Sequence, residues 1–184
     1  FGRGDNELFV VRVAGNVLGD ECLGSLDYAL SHLPTVRLLA VVGHSGCGAV
    51  TAAVDAFLAP AGLLDLAANR PLHAIVARLL PPVREAADAL RRVHGDDMAA
   101  HPGYRIALVD MAVALNAALV AATLRRAYPA PLGVVYGVYD LAGHLVRMPD
   151  GERWRPGLAA PPADAASYDV LALSLARGAR LELD

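Results

Sequence analysis

Apolar residues occur along the chain in short continuous runs and in longer segments with helical spacing. The runs lie at 7–14, 36–44 and 131–148 and predict strands, the last of them a hairpin that turns at 141–143. The helical segments lie at 20–33, 48–59, 71–95 and 104–128. Strands that alternate with helices over short connections predict right-handed βαβ units. The pattern therefore predicts an α/β fold with a mostly parallel central sheet flanked by helices and a C-terminal antiparallel hairpin strand.

Proline and glycine divide this pattern. The prolines at 81–82 are expected to interrupt the third helix or to mark its true start. After Met148 the composition shifts toward Pro, Ala and Asp, which favours a linker followed by an apolar segment that docks. We therefore divide the chain into an α/β domain at 1–148 and a linker with a docking segment at 149–184.

Composition narrows the classes of partner. The formal net charge is −3 and the sequence contains no basic block, which argues against nucleic acid. Hydrophobic residues make up 55% of the chain, so we expect it to bury more than its own core, as a homodimer or a larger homo-oligomer. The apolar stretch 106–124 contains Asp110 and Asn116, which favours a buried helix over a membrane span. Two cysteines and no visible secretory signal favour a reduced, cytoplasmic setting.

Candidate metal chemistry lies at the end of the second predicted strand. His44 ends that strand and Cys47 opens the next helix, at the sheet edge where open α/β folds bind ligands. An imidazole and a thiolate separated by a tight turn can bind one Zn²⁺. The alternative is a solvent-facing histidine beside a structural cysteine. Catalytic zinc usually has three protein ligands, and Cys22 would serve as the third only if its helix start folds over the site.

Three motifs in order resemble the β-class carbonic anhydrases. They are the strand Phe-Val-Val-Arg-x-Ala-Gly-Asn from Phe9, then Ser-Leu-x-Tyr-Ala from Ser25, then Gly-His-Ser-x-Cys-Gly from Gly43. The resemblance is close from Gly4 to about Phe57 and returns at 133–146. It implies an enzyme of that family, with zinc as its cofactor and carbon dioxide and bicarbonate as its small-molecule substrates.

The resemblance also implies roles for individual residues. His44 and Cys47 would be two of three zinc ligands. A small apolar pocket for carbon dioxide would be lined by Phe9, Ala14 and Tyr28, and the Gly48 N–H would contact a substrate oxygen. The alternative interpretation is structural: Phe9 and Ala14 would belong to the core side of the strand, and Tyr28 would pack its helix. The arginine that matches the family, at position 12, fits a structural ion pair or an interface better than catalysis.

One family motif is absent from the sequence. The remaining zinc ligand of the family belongs to a Cys-x-Asp-Ser/Ala-Arg motif on a preceding strand, which also supplies an Asp and Arg dyad at the bound water. No such motif occurs here, and residues 1–9 match the family just downstream of it. We expect a preceding segment to carry it, so the catalytic dyad is unknown, and the chain alone predicts weak or absent zinc binding.

The implied reaction is the zinc-dependent, reversible hydration of carbon dioxide to bicarbonate by attack of zinc-bound hydroxide. The alternative is a catalytically inactive relative, acting as a partner subunit or a bicarbonate-sensing module without a complete zinc site. Other small linear substrates such as CS₂ or COS remain compatible with the pocket residues.

Overall fold

The structure is a computed structural model that describes residues 7–59, 61, 69–179 and 181. The described residues form an α/β fold of five α-helices and a four-stranded sheet. The helices are α1 (Asp20–His32), α2 (Gly48–Leu58), α3 (Arg70–His94), α4 (Tyr104–Ala127) and α5 (Ala165–Arg177). The strands are β1 (Leu38–His44), β2 (Gly133–Asp140), β3 (Leu145–Asp150) and β4 (Arg153–Pro156). Short 3₁₀ turns lie at Ala14–Asn16 and Asp96–Ala100.

The sheet is mixed, with the order β1-β2-β3-β4. β1 runs parallel to β2, with a register that pairs Leu38 with Gly133 and His44 with Tyr139. The β2–β3 and β3–β4 pairings are antiparallel. The expectation of a mostly parallel sheet is therefore not confirmed, because only the first of the pairings among the described residues is parallel. The antiparallel part is the predicted hairpin, extended by β4.

α4 is the central helix of the core. It packs on both β1 and β2, and an added Cβ at Gly43 would lie 3.1 Å from Val113 Cγ1, so a glycine allows this close approach. By length and composition α4 is apolar enough to cross a membrane, but 78% of its most apolar window is buried inside the fold. The buried-helix interpretation of this segment is therefore the one that the structure supports.

β1 is less covered than its apolar sequence indicated. Val41 and Gly43 are buried, but Leu38 retains 53% exposure and Ala40 is also exposed. Because α4 covers the side of the sheet on which Val113 meets Gly43, the opposite side of β1 stays open. Among the described residues, β1 is also an edge strand.

The predicted strand at 7–14 is wrong within the described residues. Residues 8–13 have no assigned secondary structure, and Ala14 begins a 3₁₀ turn. Leu8 and Val10 are more than half exposed, at 53% and 59%. A strand is stabilised by pairing with a neighbour, so a β-forming sequence without an adjacent strand stays irregular.

α3 continues through Pro81 and Pro82, so the expected interruption is also wrong. Proline has no N–H, and these two leave the carbonyls of Ala77 and Arg78 without their helical donors. Both of those residues are exposed, so water can satisfy the carbonyls. Pro82 is fully buried, and its packing helps to hold the helix together at this point.

The segment after Met148 contributes β4 and α5. α5 begins with a capping box between Asp164 and Ser167 and packs on α3 and α4. The His94 Nε2 lies 2.8 Å from the Ala176 carbonyl, so the ends of α3 and α5 are joined. Gly178 follows α5 so closely packed that an added Cβ would lie 2.1 Å from the Glu152 carbonyl oxygen.

Candidate functional site

The turn between β1 and α2 brings His44 and Cys47 together in the chain. β1 ends at His44, and Cys47 is the N-cap residue of α2. Between them Gly46 has a φ of +63°, a left-handed conformation that favours glycine. The turn thus reverses within two residues and places an imidazole and a thiol at the carboxyl end of a parallel strand.

His44 is exposed, and its ring is oriented by the backbone. Its Nδ1 lies 3.0 Å from the Ser45 carbonyl oxygen. A carbonyl oxygen only accepts, so Nδ1 donates and the lone pair of a neutral ring lies on Nε2. Metal-binding histidines are commonly oriented in this way, with one nitrogen donating to a carbonyl and the other on the metal. His44 therefore has one nitrogen available as a ligand.

Cys47 is buried, with 7% exposure, and belongs to the main hydrophobic cluster. Its position at the N-terminus of α2 places it beside unpaired backbone N–H groups and the positive end of the helix dipole. A cysteine sulfur at this position is a ligand type that zinc binds. At the next residue, Gly48, an added Cβ would meet nothing within 4 Å, so the space beside its Cα is open.

The turn is anchored to the β2–β3 hairpin by Ser45. Its backbone N–H donates to the Tyr139 carbonyl at 2.9 Å, and its hydroxyl accepts from the Leu141 N–H at 2.9 Å. Sequence reasoning did not single out Ser45, and the only signal for it was its place inside the His-Ser-Gly-Cys motif. The hairpin therefore sets the position of the backbone between the two candidate ligands.

The hairpin is itself stabilised at Asp140. Backbone N–H groups of Gly143 and Ala142 donate to its carboxylate, and these bonds hold the pKa of Asp140 below its usual value. The Arg147 guanidinium, 3.0 Å away, also favours the charged form. The charged carboxylate thus stabilises the loop that carries Leu141.

The Ala14–Asn16 turn is held by the core helix. Asn116 is buried within α4, and its Nδ2 donates to the Gly15 carbonyl at 2.8 Å. Gly15 has a φ of +67°, and an added Cβ there would lie 2.8 Å from Leu79 Cδ1. Asn116 was visible in the sequence as a polar residue within an apolar helix, although its partner was not. Together these contacts fix the turn that begins with Ala14.

The predicted substrate residues other than Gly48 do not form a closed pocket. Phe9 is 47% exposed and Tyr28 is 60% exposed, and Ala14 is exposed as well. The Tyr28 ring stacks on His32 with 4.2 Å between the ring centroids. Two cavities of the described residues, of about 320 and 290 Å³, are lined by other side chains. The proposed roles of Phe9, Ala14 and Tyr28 at the substrate therefore stay predictions.

The donor set is consistent with part of a zinc site. His44 and Cys47 are suitable ligand types, but the described residues contain no group of three or more His, Cys, Asp or Glu side chains that would hold a metal. Cys22 does not complete the set, and its sulfur instead lies 3.8 Å from the Val17 carbonyl. The described residues thus offer two candidate ligands, whereas a catalytic zinc site usually has three protein ligands.

Comparison with known proteins identifies the family. The family model for carbonic anhydrase matches residues 1–145 of the chain. The chain belongs to the β-class carbonic anhydrase family. Within this carbonic anhydrase match lie β1, the His44–Cys47 turn, α3, α4 and β2, whereas β4 and α5 lie beyond it.

Curated relatives match a shorter stretch. Carbonic anhydrase 2 of Mycobacterium tuberculosis is 48% identical over 56 residues, which are 30% of this chain and 27% of that protein. A carbonic anhydrase of Mycolicibacterium smegmatis is 46% identical over 56 residues, with the same coverage. The aligned stretch thus spans about 27% of the length of the relatives that it matches. No solved structure matches the chain significantly.

Proposed function

We propose that the protein hydrates carbon dioxide reversibly to bicarbonate and that it uses zinc. The observation that carries this proposal is the His44–Cys47 turn, in which an imidazole with a free Nε2 and a cysteine at a helix N-terminus follow one parallel strand. The turn lies inside the region that matches the carbonic anhydrase family. Inactive relatives are the competing interpretation, and no observation favours them.

His44 and Cys47 would hold the metal. The imidazole would bind through Nε2, because Nδ1 is committed to the Ser45 carbonyl. Cys47 would bind through its sulfur from the N-cap position of α2. When bound, zinc supplies the Lewis acidity that makes water a competent nucleophile near neutral pH.

The other proposed residues would act on the substrate. The Gly48 N–H, in the first turn of α2, would donate to a substrate oxygen. Phe9, Ala14 and Tyr28 would contribute apolar surface that excludes water around carbon dioxide. Since all three are exposed in the isolated chain, this role requires a further surface to cover them.

We propose that the cover comes from assembly. A further parallel strand along the open edge of β1 would supply pairing groups and add a second parallel pairing to the sheet. Exposed apolar residues such as Leu8, Val10 and Leu38 favour a homodimer or larger assembly. A cytoplasmic location is part of the same proposal.

The decisive experiment measures zinc and activity together. The full-length product of the gene is purified, its zinc per chain is determined by elemental analysis, and carbon dioxide hydration is followed by stopped flow. We expect close to one zinc per chain and measurable hydration. Replacing either ligand, as His44→Ala or Cys47→Ala, should lower both zinc content and hydration rate by roughly 100-fold or more.

His73→Ala is the matched control, because His73 is exposed near the start of α3. It should retain both zinc and activity. A zinc content near zero, with no hydration in the unmodified protein, would contradict the proposal and support the inactive relative.

A further inference from the structure

Polar side chains join α5 to α3 beside the apolar contacts of the two helices. α3 and α5 pack against each other, and both contribute buried residues to the main hydrophobic cluster. Glu85, Asp88 and Arg92 lie on α3 at positions i, i+3 and i+7, so they share one face of the helix. Tyr168 and Asp169 of α5 interact with this face. We call these five side chains the α3–α5 cluster.

Arg92 binds the acid that α5 contributes. Its guanidinium donates to both carboxylate oxygens of Asp169, with 3.2 Å between Nη2 and Oδ2. This pairing holds the pKa of Asp169 below its usual value, so Asp169 keeps its charge into the acid range. Arg92 also lies 3.5 Å from Asp88, which pairs more closely with Arg91 at 2.6 Å. The positive charge of Arg92 is therefore already shared between two carboxylates.

Glu85 is the acid of the α3–α5 cluster that has no partner. It is half-buried and makes no hydrogen bond or ion pair with any residue that the structure describes. Burial raises the pKa of Glu85, and the charges of Asp169 and Asp88 raise it further, whereas Arg92 lowers it. The folded protein therefore favours the protonated form of Glu85.

Two other titratable groups lie between α5 and its neighbours. The hydroxyl of Tyr168 donates to the Leu115 carbonyl of α4 at 3.2 Å. Burial raises the pKa of Tyr168, and the charge of Glu85 raises it further, so the phenol stays protonated while Glu85 titrates. His94 lies more than two turns of α3 away from Glu85, with its Nε2 2.8 Å from the Ala176 carbonyl. A separate variant therefore distinguishes the contribution of His94 from that of Glu85.

We propose that the docking of α5 on α3 is a pH-sensitive contact, tightest when Glu85 is protonated and weaker once Glu85 is charged. The charged form adds a third carboxylate to a face where Asp88 and Asp169 already share Arg92. Since the pKa of Glu85 is raised in the folded protein, its stabilisation of the contact is present below the ordinary value of 4.5. It is lost as the pH rises through the higher folded value. The inference does not depend on the proposed zinc chemistry, because none of these residues belongs to the His44–Cys47 turn.

Hydrogen exchange of the α5 amides tests this contact. The full chain is measured at about pH 4.5 and about pH 7.5, and exchange is expressed as protection factors, which removes the intrinsic pH dependence of exchange. The protection of α5, relative to that of α4, should be about 2- to 5-fold lower at the higher pH. The reason is that the deprotonated Glu85 faces two like charges across and along the interface.

A substitution that cannot ionise locates the effect. Glu85→Gln keeps the shape of the protonated carboxyl, so at the higher pH it should raise the protection of α5 by about 2- to 5-fold over the parent. It should also remove the pH dependence. Because the expected effect is a gain of protection, a variant that fails to fold cannot produce it. Glu21→Gln is the matched control, since it makes the same change at an exposed position of α1, and it should leave α5 unchanged.

Three results would each overturn the proposal. One is equal protection of α5 in Glu85→Gln and Glu21→Gln at the higher pH. Another is protection of α5 in the parent that stays constant or increases as the pH rises. The third is a pH dependence that persists in Glu85→Gln and is lost in His94→Gln, which would assign it to the imidazole.

Discussion

The hydroxyl of Ser45 accepts a hydrogen bond of 2.9 Å from the backbone N–H of Leu141. This contact joins the turn of the candidate ligands to the β2–β3 hairpin, across 96 positions of sequence. The two candidate ligands lie on either side of Ser45 and Gly46, so the conformation of the backbone between them depends on this hairpin. A substitution in the hairpin is therefore expected to affect metal binding without touching a ligand.

Ser45→Ala tests that dependence. The change removes the acceptor for the Leu141 N–H. Because this N–H is exposed, it can donate to water instead, and the loss of stability should be about 0.5–1.5 kcal/mol. Zinc affinity, measured by competition with a chelator, should fall several-fold because the turn is less ordered. Ser31→Ala, at an exposed position of α1, is the control. Equal zinc affinity in the two variants would show that the hairpin does not position the turn.

Gly178→Ala should destabilise the fold. An added Cβ would lie 2.1 Å from the Glu152 carbonyl oxygen and 2.8 Å from its carbon, so backbone must move. Overpacking of this kind costs about 1–3 kcal/mol. The measurement is the free energy of unfolding from urea denaturation.

Gly24→Ala provides the matching control, since an added Cβ at Gly24 meets nothing within 4 Å and the position is helical. It should stabilise the protein by about 0.5–1 kcal/mol. If both substitutions were neutral, α5 would not pack on the β3–β4 turn as described.

Asn116→Leu should destabilise the protein by about 1–3 kcal/mol. Leucine keeps a similar volume but removes the donor to the buried Gly15 carbonyl, which is then left unpaired. Thr123→Val, on the same helix at an exposed position, should change the free energy of unfolding by less than about 0.5 kcal/mol. Similar values for the two variants would exclude a role for Asn116 in holding the Ala14–Asn16 turn.

Asp140 should give the hairpin a stability that depends on pH. Its pKa in the folded protein is lowered by the N–H groups of Gly143 and Ala142, so folding favours the charged carboxylate. The stabilisation is present above the ordinary pKa of 3.8 and is lost as the pH falls through the lower folded value. Asp140→Asn should therefore be less stable than the parent near about pH 6, and the difference should shrink as the pH falls through the folded pKa of Asp140.

The carboxyl resonance of Asp140 provides the direct check. Its titration midpoint in ¹³C NMR should lie below the ordinary value of 3.8. A midpoint at or above that value would mean that the loop does not hold the carboxylate.

The accuracy of the sequence predictions depended on how local their causes were. Helix α4 was predicted at 104–128 and is observed at Tyr104–Ala127, because apolar spacing and the following Pro129 are both local signals. The strand at 7–14 was predicted from the same kind of local pattern and is not formed, because a strand also needs a partner that local pattern does not supply. Pro82 was expected to break α3, but its burial in the core outweighs the lost hydrogen bond.

The same difference between local and long-range causes applies to the candidate site. The positions of His44 at the strand end and Cys47 at the helix start followed from the alternating pattern, and the structure places both there. Asn116 and Ser45 act through partners 101 and 96 positions away, which spacing along one chain cannot reveal. The arrangement of Phe9, Ala14 and Tyr28 around a substrate stays a prediction for a related reason, since all three are exposed among the described residues.

The two prolines of α3 have a mechanical consequence. Pro81 and Pro82 remove two backbone hydrogen bonds from α3. At this point the helix is least able to transmit a twist or a shift along its axis. Leu79, before these prolines, packs beside the Gly15 turn, whereas His94, after them, lies 2.8 Å from the Ala176 carbonyl at the end of α5. A shift of the second half of α3, together with α5, would thus leave the first half and the Gly15 turn largely undisturbed.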